Sequence, residues 1–424
     1  MSVIKRESYL QKLISKKENG MIKIITGIRR CGKSYLLFNL YRDYLLSIGV
    51  KEENIIMLAL DDVENKEYRD ALAMSKYIRS KTVNKTQMYY VFIDEIQYAV
   101  KKEELKSEEP LPLYGALNGF LHLGNVDVYV TGSNSKLLSK DVMTEFRGRG
   151  DEIRVHPLTF KEYYDYVGGD KADAYDEYSI YGGLPYTLSL QSVEEKAKYL
   201  IDLFNEVYFK DISERYNIEL PEVMQLLADD LCSSIGSLVN SNKIANTLQT
   251  VKNVKVSSQT IANYLEYLQE AFLFSSARRY DVKGKKYFSY PSKFYCEDLG
   301  LRNARLNYRQ YEETHIMENI IYNELIARGY SVDVGVIEVN DNGSRKQCEI
   351  DFVVNRGMDR YYIQSAYNMS DEYKEKTELR SLLATKDFFK KIVITGSRGK
   401  KRLDEKGIVY IGLLDFLLDK DCLN

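Results

Sequence analysis

The segment Gly27-Ile28-Arg29-Arg30-Cys31-Gly32-Lys33-Ser34 constrains this chain more than any other stretch. Its spacing is G-x-x-x-x-G-K-[ST]. In that pattern glycines let backbone N–H groups turn inward around phosphate oxygens, the lysine reaches the terminal phosphates, and the hydroxyl ligates Mg²⁺. The flanks agree. Met21 to Thr26 (MIKIIT) is a short β-branched run, and beyond Ser34 apolar residues recur at helical spacing at Tyr35, Leu36, Leu40 and Leu45. A strand, a glycine loop and a helix N-terminus together form an anion site. Gly27 to Tyr35 is therefore the expected nucleotide-binding loop, with ATP as ligand and Ser34 as a metal ligand.

A second element completes the pattern. Tyr89-Tyr90-Val91-Phe92-Ile93-Asp94-Glu95 is an apolar strand ending in paired acids. Asp94 is expected to hold Mg²⁺ through its water shell, and Glu95 to polarise an attacking water. Two more strands are expected, Ile55 to Leu60 and Val126 to Val130. Strands alternating with helical stretches predict an α/β fold, a parallel sheet flanked by helices with ligands at the carboxyl ends of its strands. Beyond Val130, either Ser133 or Asn134 is a candidate to contact the γ-phosphate, and a helix cap for Ser135 to Leu138 is the competing reading. Arg147 and Arg149 flank Gly148. They fit an arginine reaching a γ-phosphate, in cis or from a neighbouring copy in a homo-oligomer, or else a solvated basic turn.

Length and composition bound the rest. With 424 residues the chain has room for two to three domains, and 44% hydrophobic with 29% charged residues is an ordinary globular balance. The net charge of −2 means that any nucleic-acid surface must be a local basic patch. Cys31, Cys232, Cys296, Cys348 and Cys422 lack paired spacing, so no zinc site or disulfide framework is expected and a reducing cytoplasm is the simpler setting. The N-terminal MSVIKRESYLQKL has no apolar signal core, and no run approaches a membrane span. His122, His156 and His315 stand alone and read as structural.

In combination, GIRRCGKSYLL, FIDEIQ, TGSNSKLLS, FRGRG and PLTFKEY resemble the prokaryotic AAA+-type ATPases related to the archaeal ATPase group. YGGLP, YFKDISERY and the EIDFV…YYIQSAY segment resemble the uncharacterised region that usually follows that ATPase. The resemblance covers nearly the whole chain. It implies an AAA+-like core at 1–156, a helical extension at 157–219, a winged-helix module at 220–312 and a smaller restriction-endonuclease-like α/β domain at 313–424. It also implies that Gly27, Gly32, Lys33 and Ser34 form Walker A and Asp94 and Glu95 form Walker B. Ser133 or Asn134 would be sensor 1, and Arg147 or Arg149 the arginine finger.

The residues of the C-terminal half leave its role open. Ile244 to Leu248 and Ser257 to Leu268 read as two helices, the second burying Ile261, Tyr264, Leu265 and Leu268. Arg278 to Tyr287 reads as a basic hairpin, a wing able to touch phosphates. The second helix carries no Arg or Lys, so protein docking or an ATPase lid competes with DNA contact. Further on, Asp351 in EIDFV and Glu318 on the preceding helix match a PD-(D/E)xK nuclease pattern. Gln364 stands where its second acid should be, and Ala366 where its lysine should be. A degenerate, binding-only nuclease site of Glu318, Asp351 and Gln364 is expected, with a purely structural Asp351 as the alternative. The functional expectation is a Mg²⁺-dependent ATPase switch associated with DNA. The alternatives are a nucleotide-dependent switch for a protein partner, or an ATP-gated nuclease.

Overall fold

Five short apolar segments, separated by helices, pair side by side into one parallel sheet. In the computed structural model, which describes residues 3–101, 103–104, 109–133, 148–288, 291–341, 344–369, 372–397 and 401–423, these are β1 (Ile22–Thr26), β2 (Ile55–Ala59), β3 (Tyr89–Asp94), β4 (Val126–Thr131) and β5 (Gly150–Arg154). Their order is β2-β3-β4-β1-β5, every pairing parallel. The sheet belongs to the first of two compact units, Met1–Pro157 with Glu270–Phe272. Helices cover both faces, so β1, β3 and β4 are buried at every position. One face packs Ile24, Val91, Ile93, Val128 and Val130 against Met74, Ile78, Leu117 and Phe120. The other stacks Phe92 and Tyr129 against Tyr41, with ring centroids 5.8 and 5.0 Å from Tyr41.

Four of the strands match the expected runs. The fifth does not: β5 was not foreseen. Its sequence GDEIR buries only Gly150 and Ile153, as suits an edge strand, and so carries little apolar signal.

A buried ion pair ties the centre of the sheet together. Lys23 on β1 is fully buried and paired with Asp127 on β4. Asp127 also accepts from the Tyr129 hydroxyl (2.7 Å) and the Glu18 N–H (2.9 Å), and Lys23 donates to the Met21 carbonyl (3.0 Å). Burial lowers the pKa of Lys23, and Asp127 opposes that.

The second unit comprises Leu158–Gln269 and Leu273–Asn424. Helices Phe160–Val167, Lys171–Tyr181 and Val193–Asp202 open it. A three-stranded antiparallel sheet follows, order β6 (Leu238–Val239), β10 (Ser292–Cys296), β7 (Phe274–Ala277), accompanied by helices Pro221–Ser233, Ser241–Lys252 and Ser258–Glu270. As expected, Ile261, Tyr264, Leu265 and Leu268 are buried.

The larger sheet has eight strands, ordered β15 (Arg402–Leu403), β16 (Ile408–Gly412), β14 (Lys390–Thr395), β13 (Asp359–Ala366), β12 (Ser344–Arg356), β11 (Ser331–Asp341), β8 (Arg279–Asp281), β9 (Lys286–Tyr287). β13, β14 and β16 run parallel, with helix Glu372–Leu383 between the first two. The hairpin expected as a free wing is the far edge of this sheet: β8 pairs parallel with β11, and Lys283 donates to the Glu338 carbonyl at 2.9 Å.

The YGGLP segment has a packing reason. Gly182 has φ +73°, and a Cβ there would lie 2.2 Å from an Asp298 carboxylate oxygen. That close approach lets Asp298 accept from Gly183 N–H (2.7 Å) and cap helix Leu299–Arg305 through Leu301 N–H (3.1 Å). Burial pushes the Asp298 carboxyl up to about 6, against these hydrogen bonds.

Two outcomes are expected. Asp127→Ala, which strands a buried ammonium, lowers urea-unfolding stability by about 3–5 kcal/mol, whereas Lys23→Met combined with Asp127→Leu costs less than that single change. For Asp298 the folded-state pKa exceeds the unfolded one, so protonation favours the folded form and ionisation costs stability as pH rises from about 4 to about 6. Asp298→Asn therefore flattens the loss of stability across that window, read as urea midpoints at both ends.

Candidate functional site

The loop after β1 is built by backbone handedness. Gly27 (φ 139°), Arg30 (φ 64°) and Gly32 (φ 96°) adopt positive φ, interspersed with residues that do not. Such alternation turns successive N–H groups into one concavity. Gly27 admits no side chain, since a Cβ would lie 2.1 Å from the Val155 carbonyl oxygen. Ile28 and Cys31 are fully buried, and the Cys31 thiol donates to that same carbonyl at 3.3 Å. The two residues therefore anchor the loop from below. Tyr35 points outward, 43% exposed.

Lys33 is buried and donates to the Gly27 and Ile28 carbonyls, both at 3.0 Å. Its ammonium is thus held under the arch of the loop. Helix Lys33–Tyr35 continues through a π-wound turn, Leu36–Tyr41, into Arg42–Ser47.

Asp94 ends β3 beside β1's neighbour β4. Its carboxylate accepts from the Thr131 hydroxyl, and the nearby Ser34 hydroxyl also favours its ionised form. The two expected metal ligands, Ser34 and Asp94, are therefore neighbours. The Thr131 hydroxyl also accepts from the Glu95 N–H at 3.1 Å. One hydroxyl thus sets both the aspartate and the backbone of the following glutamate, which sits at φ 51°. Gln97 holds the Glu95 carboxylate through its side-chain amide. Burial, with the like charges of Glu95 and Asp61, raises the Asp94 carboxyl above its usual range. A cation beside it would reverse that shift, and a hydroxyl with a carboxylate is a hard-oxygen set suited to Mg²⁺.

The strand-end candidates divide. Ser133 is buried and accepts from the Arg29 guanidinium at 3.3 Å. Asn134 and Arg147 lie outside the described residues. Arg149 lies at the amino end of β5, where its carbonyl accepts from Ile22 N–H at 2.9 Å. The loop Gly27–Ser34 leaves the carboxyl end of β1, so Arg149 sits on the opposite edge of the sheet from its own chain's loop. Thr131 was missed by reading past the strand end; a hydroxyl as the last residue of an apolar strand was the available signal.

In the second unit Glu318, Asp351 and Gln364 do come together, around a residue no motif indicated. Lys293 on β10 is buried and lies 2.9 Å from Glu318, 2.7 Å from Glu349 and 3.9 Å from Asp351. The Tyr295 hydroxyl donates to Glu318 at 2.7 Å. Asp351 accepts from Ser365 N–H at 2.8 Å, and Gln364 donates to Glu378 at 3.0 Å. Burial raises the Asp351 carboxyl, and Glu318 adds to it. Lys293 thus supplies a cation to this group of acids. Among the described residues no group of three or more His, Cys, Asp or Glu is arranged to hold a metal ion, and the ammonium sits among the acids instead. Among the described residues, no helix is long and apolar enough to cross a membrane.

A family model described as an AAA domain matches residues 19–164. Two models described as domains of unknown function match 172–312 and 313–416. A Haemophilus influenzae protein described as uncharacterised is 34% identical over 422 residues, 98% of this chain and 99% of that one. A Methanocaldococcus jannaschii protein, also described as uncharacterised, is 29% identical over 371 residues, 84% of this chain and 76% of that one. Among solved structures, the Walker-type ATPase of Pyrococcus abyssi matches with a TM-score of 0.49 at 16% identity, covering 72% of this chain and 96% of that chain.

Thr131→Val keeps the shape and removes the hydroxyl that orients both acids. It is expected to leave nucleotide affinity within a few-fold and to slow ATP turnover roughly 10-fold or more, measured as phosphate release at saturating Mg-ATP.

Proposed function

We propose that this chain, which belongs to one family with the uncharacterised Haemophilus influenzae protein and matches an AAA domain at residues 19–164, binds and hydrolyses Mg-ATP and uses the cycle as a conformational switch. The observation that carries this is Thr131, whose hydroxyl donates to Asp94 and accepts from the Glu95 N–H, holding both acids in register behind the loop. The backbone N–H groups of Gly27 to Ser34 cradle the phosphates, and Lys33 leaves the carbonyls of Gly27 and Ile28 to meet the terminal ones. Ser34 and Asp94 would hold Mg²⁺, which would neutralise phosphate charge when bound. Glu95 orients the attacking water and takes its proton. Ser133 positions Arg29 at the rim. An arginine finger, if Arg149 supplies it, comes from a neighbouring copy.

We further propose that the switch acts on DNA through the C-terminal half. The helices Pro221–Ser233, Ser241–Lys252 and Ser258–Glu270 with the sheet β6-β10-β7 follow the order of a winged helix, which supports that reading. A nuclease reading is disfavoured, because Lys293 neutralises the carboxylates that would bind a metal. A protein-partner switch without DNA contact is the competing reading, and DNA binding by the full chain decides between them.

ATP turnover tests the core of the proposal. Wild type is expected to release phosphate with Mg²⁺. Lys33→Ala abolishes turnover by weakening nucleotide binding, and Glu95→Gln lowers it roughly 10²-fold while still binding ATP. Absence of turnover in the wild type, or its survival in both variants, sinks the assignment.

A further inference from the structure

The eight-stranded sheet has one end where apolar side chains stand in water. β12 turns into β13 through Gly357 and Met358, and Met358 is 97% exposed. The segment entering β14 carries Phe388, which is fully exposed, and Phe389. β13 and β14 run parallel with Tyr361 opposite Lys390, so Met358 to Arg360 lie beside Asp387 to Phe389. The two exposed side chains therefore share one edge, at the amino ends of neighbouring strands.

That edge is also basic. Arg356, Arg360, Lys386, Lys390 and Lys391 occupy it against Asp359 and Asp387. Asp387 is already engaged, accepting from the Tyr362 hydroxyl at 2.7 Å and pairing with Lys391 at 3.7 Å. The patch thus carries a net positive charge on a chain whose total is −2, as a local nucleic-acid surface requires.

Its aromatic residues are held at different depths. Phe389 packs edge-on to Tyr362 with centroids 6.1 Å apart, and the Arg360 guanidinium lies 5.1 Å over its ring. Arg356 is braced over Tyr330 at 4.4 Å. Phe388 is instead fully exposed. Phe389 and Arg360 thus pack together on one face of the strand ends and Arg356 is braced on the other, opposite Asp359, while the phenyl of Phe388 and the thioether of Met358 stand exposed.

We propose that this edge binds single-stranded nucleic acid, with phosphates on Arg356, Lys386 and Lys390 and an unpaired base stacked on Phe388 beside Met358. The occupant follows from the chemistry. Cations alone would suit a duplex, but a bare phenyl gains a stacking partner only where bases are unstacked, and every base offers a π-face. The inference deepens the DNA-associated reading and rests on it.

The test is fluorescence anisotropy of the full-length protein with a labelled oligothymidylate of about 25 nucleotides, with and without Mg-ATP, over a salt series. The wild type is expected to bind in a salt-dependent way. Phe388→Ala weakens binding about 10-fold without changing the salt slope, because stacking is lost and phosphate contacts are kept. Lys386→Glu weakens it and reduces the slope by about one. Both positions are exposed, so urea midpoints stay at the wild-type value. If the wild type binds no oligonucleotide at low salt, the DNA-associated reading falls. If it binds and both variants bind as tightly, only the assignment to this edge is overturned. Binding to phosphatidylserine vesicles that is lost in both variants, with no oligonucleotide binding, reassigns the edge to anionic lipid and overturns the proposal.

Discussion

Everything in the first unit depends on β1 being held between β4 and β5 in parallel register. That placement sets where the chain leaves the sheet, and hence where Gly27 to Ser34 arches. It also brings Thr131, the last residue of β4, level with the carboxyl end of β1. The buried pair of Lys23 and Asp127 locks the same two strands at their amino ends. A slip of β1 against β4 by one residue would strand Lys23 on the wrong face and separate it from Asp127. The charge pair thus specifies register at one end, and phosphate chemistry occupies the other.

The nucleotide site was largely legible because its elements are local. A loop residue pressed against a carbonyl, as Gly27 is, must be glycine, and an apolar strand ending in two acids shows in seven consecutive residues. What escaped was spatial or weakly apolar. Thr131 acts through its position across from Asp94, which no spacing in the chain reveals. β5 has too few apolar residues to stand out, and without it Arg149 could be read as near the loop rather than at the far edge. β16, by contrast, is buried throughout and was readable as IVYIG, yet it went unassigned.

The second unit shows the opposite balance. Glu318, Asp351 and Gln364 were foreseen as neighbours from a nuclease-like pattern, and they are neighbours. The inference that no lysine accompanies them held for β13 and failed for the cluster. Lys293 comes from β10, ahead of Glu318 in sequence and on a different sheet. An ammonium at that depth is stabilised by the acids around it, and burial alone would have lowered its affinity for a proton. Lysine and carboxylates are each tolerable there only in the other's company.

The hairpin β8–β9 and Lys293 belong physically to the C-terminal sheet and its acidic cluster, although both precede residue 313. Segments that read along the chain as two successive modules therefore lie within one compact unit. A boundary drawn between them would leave β11 with a bare edge and three carboxylates without their cation. Inheritance would be bound by the same constraint, so a recombination that exchanged the C-terminal segment alone would have to bring in a matching β8, β9 and lysine from the same parent.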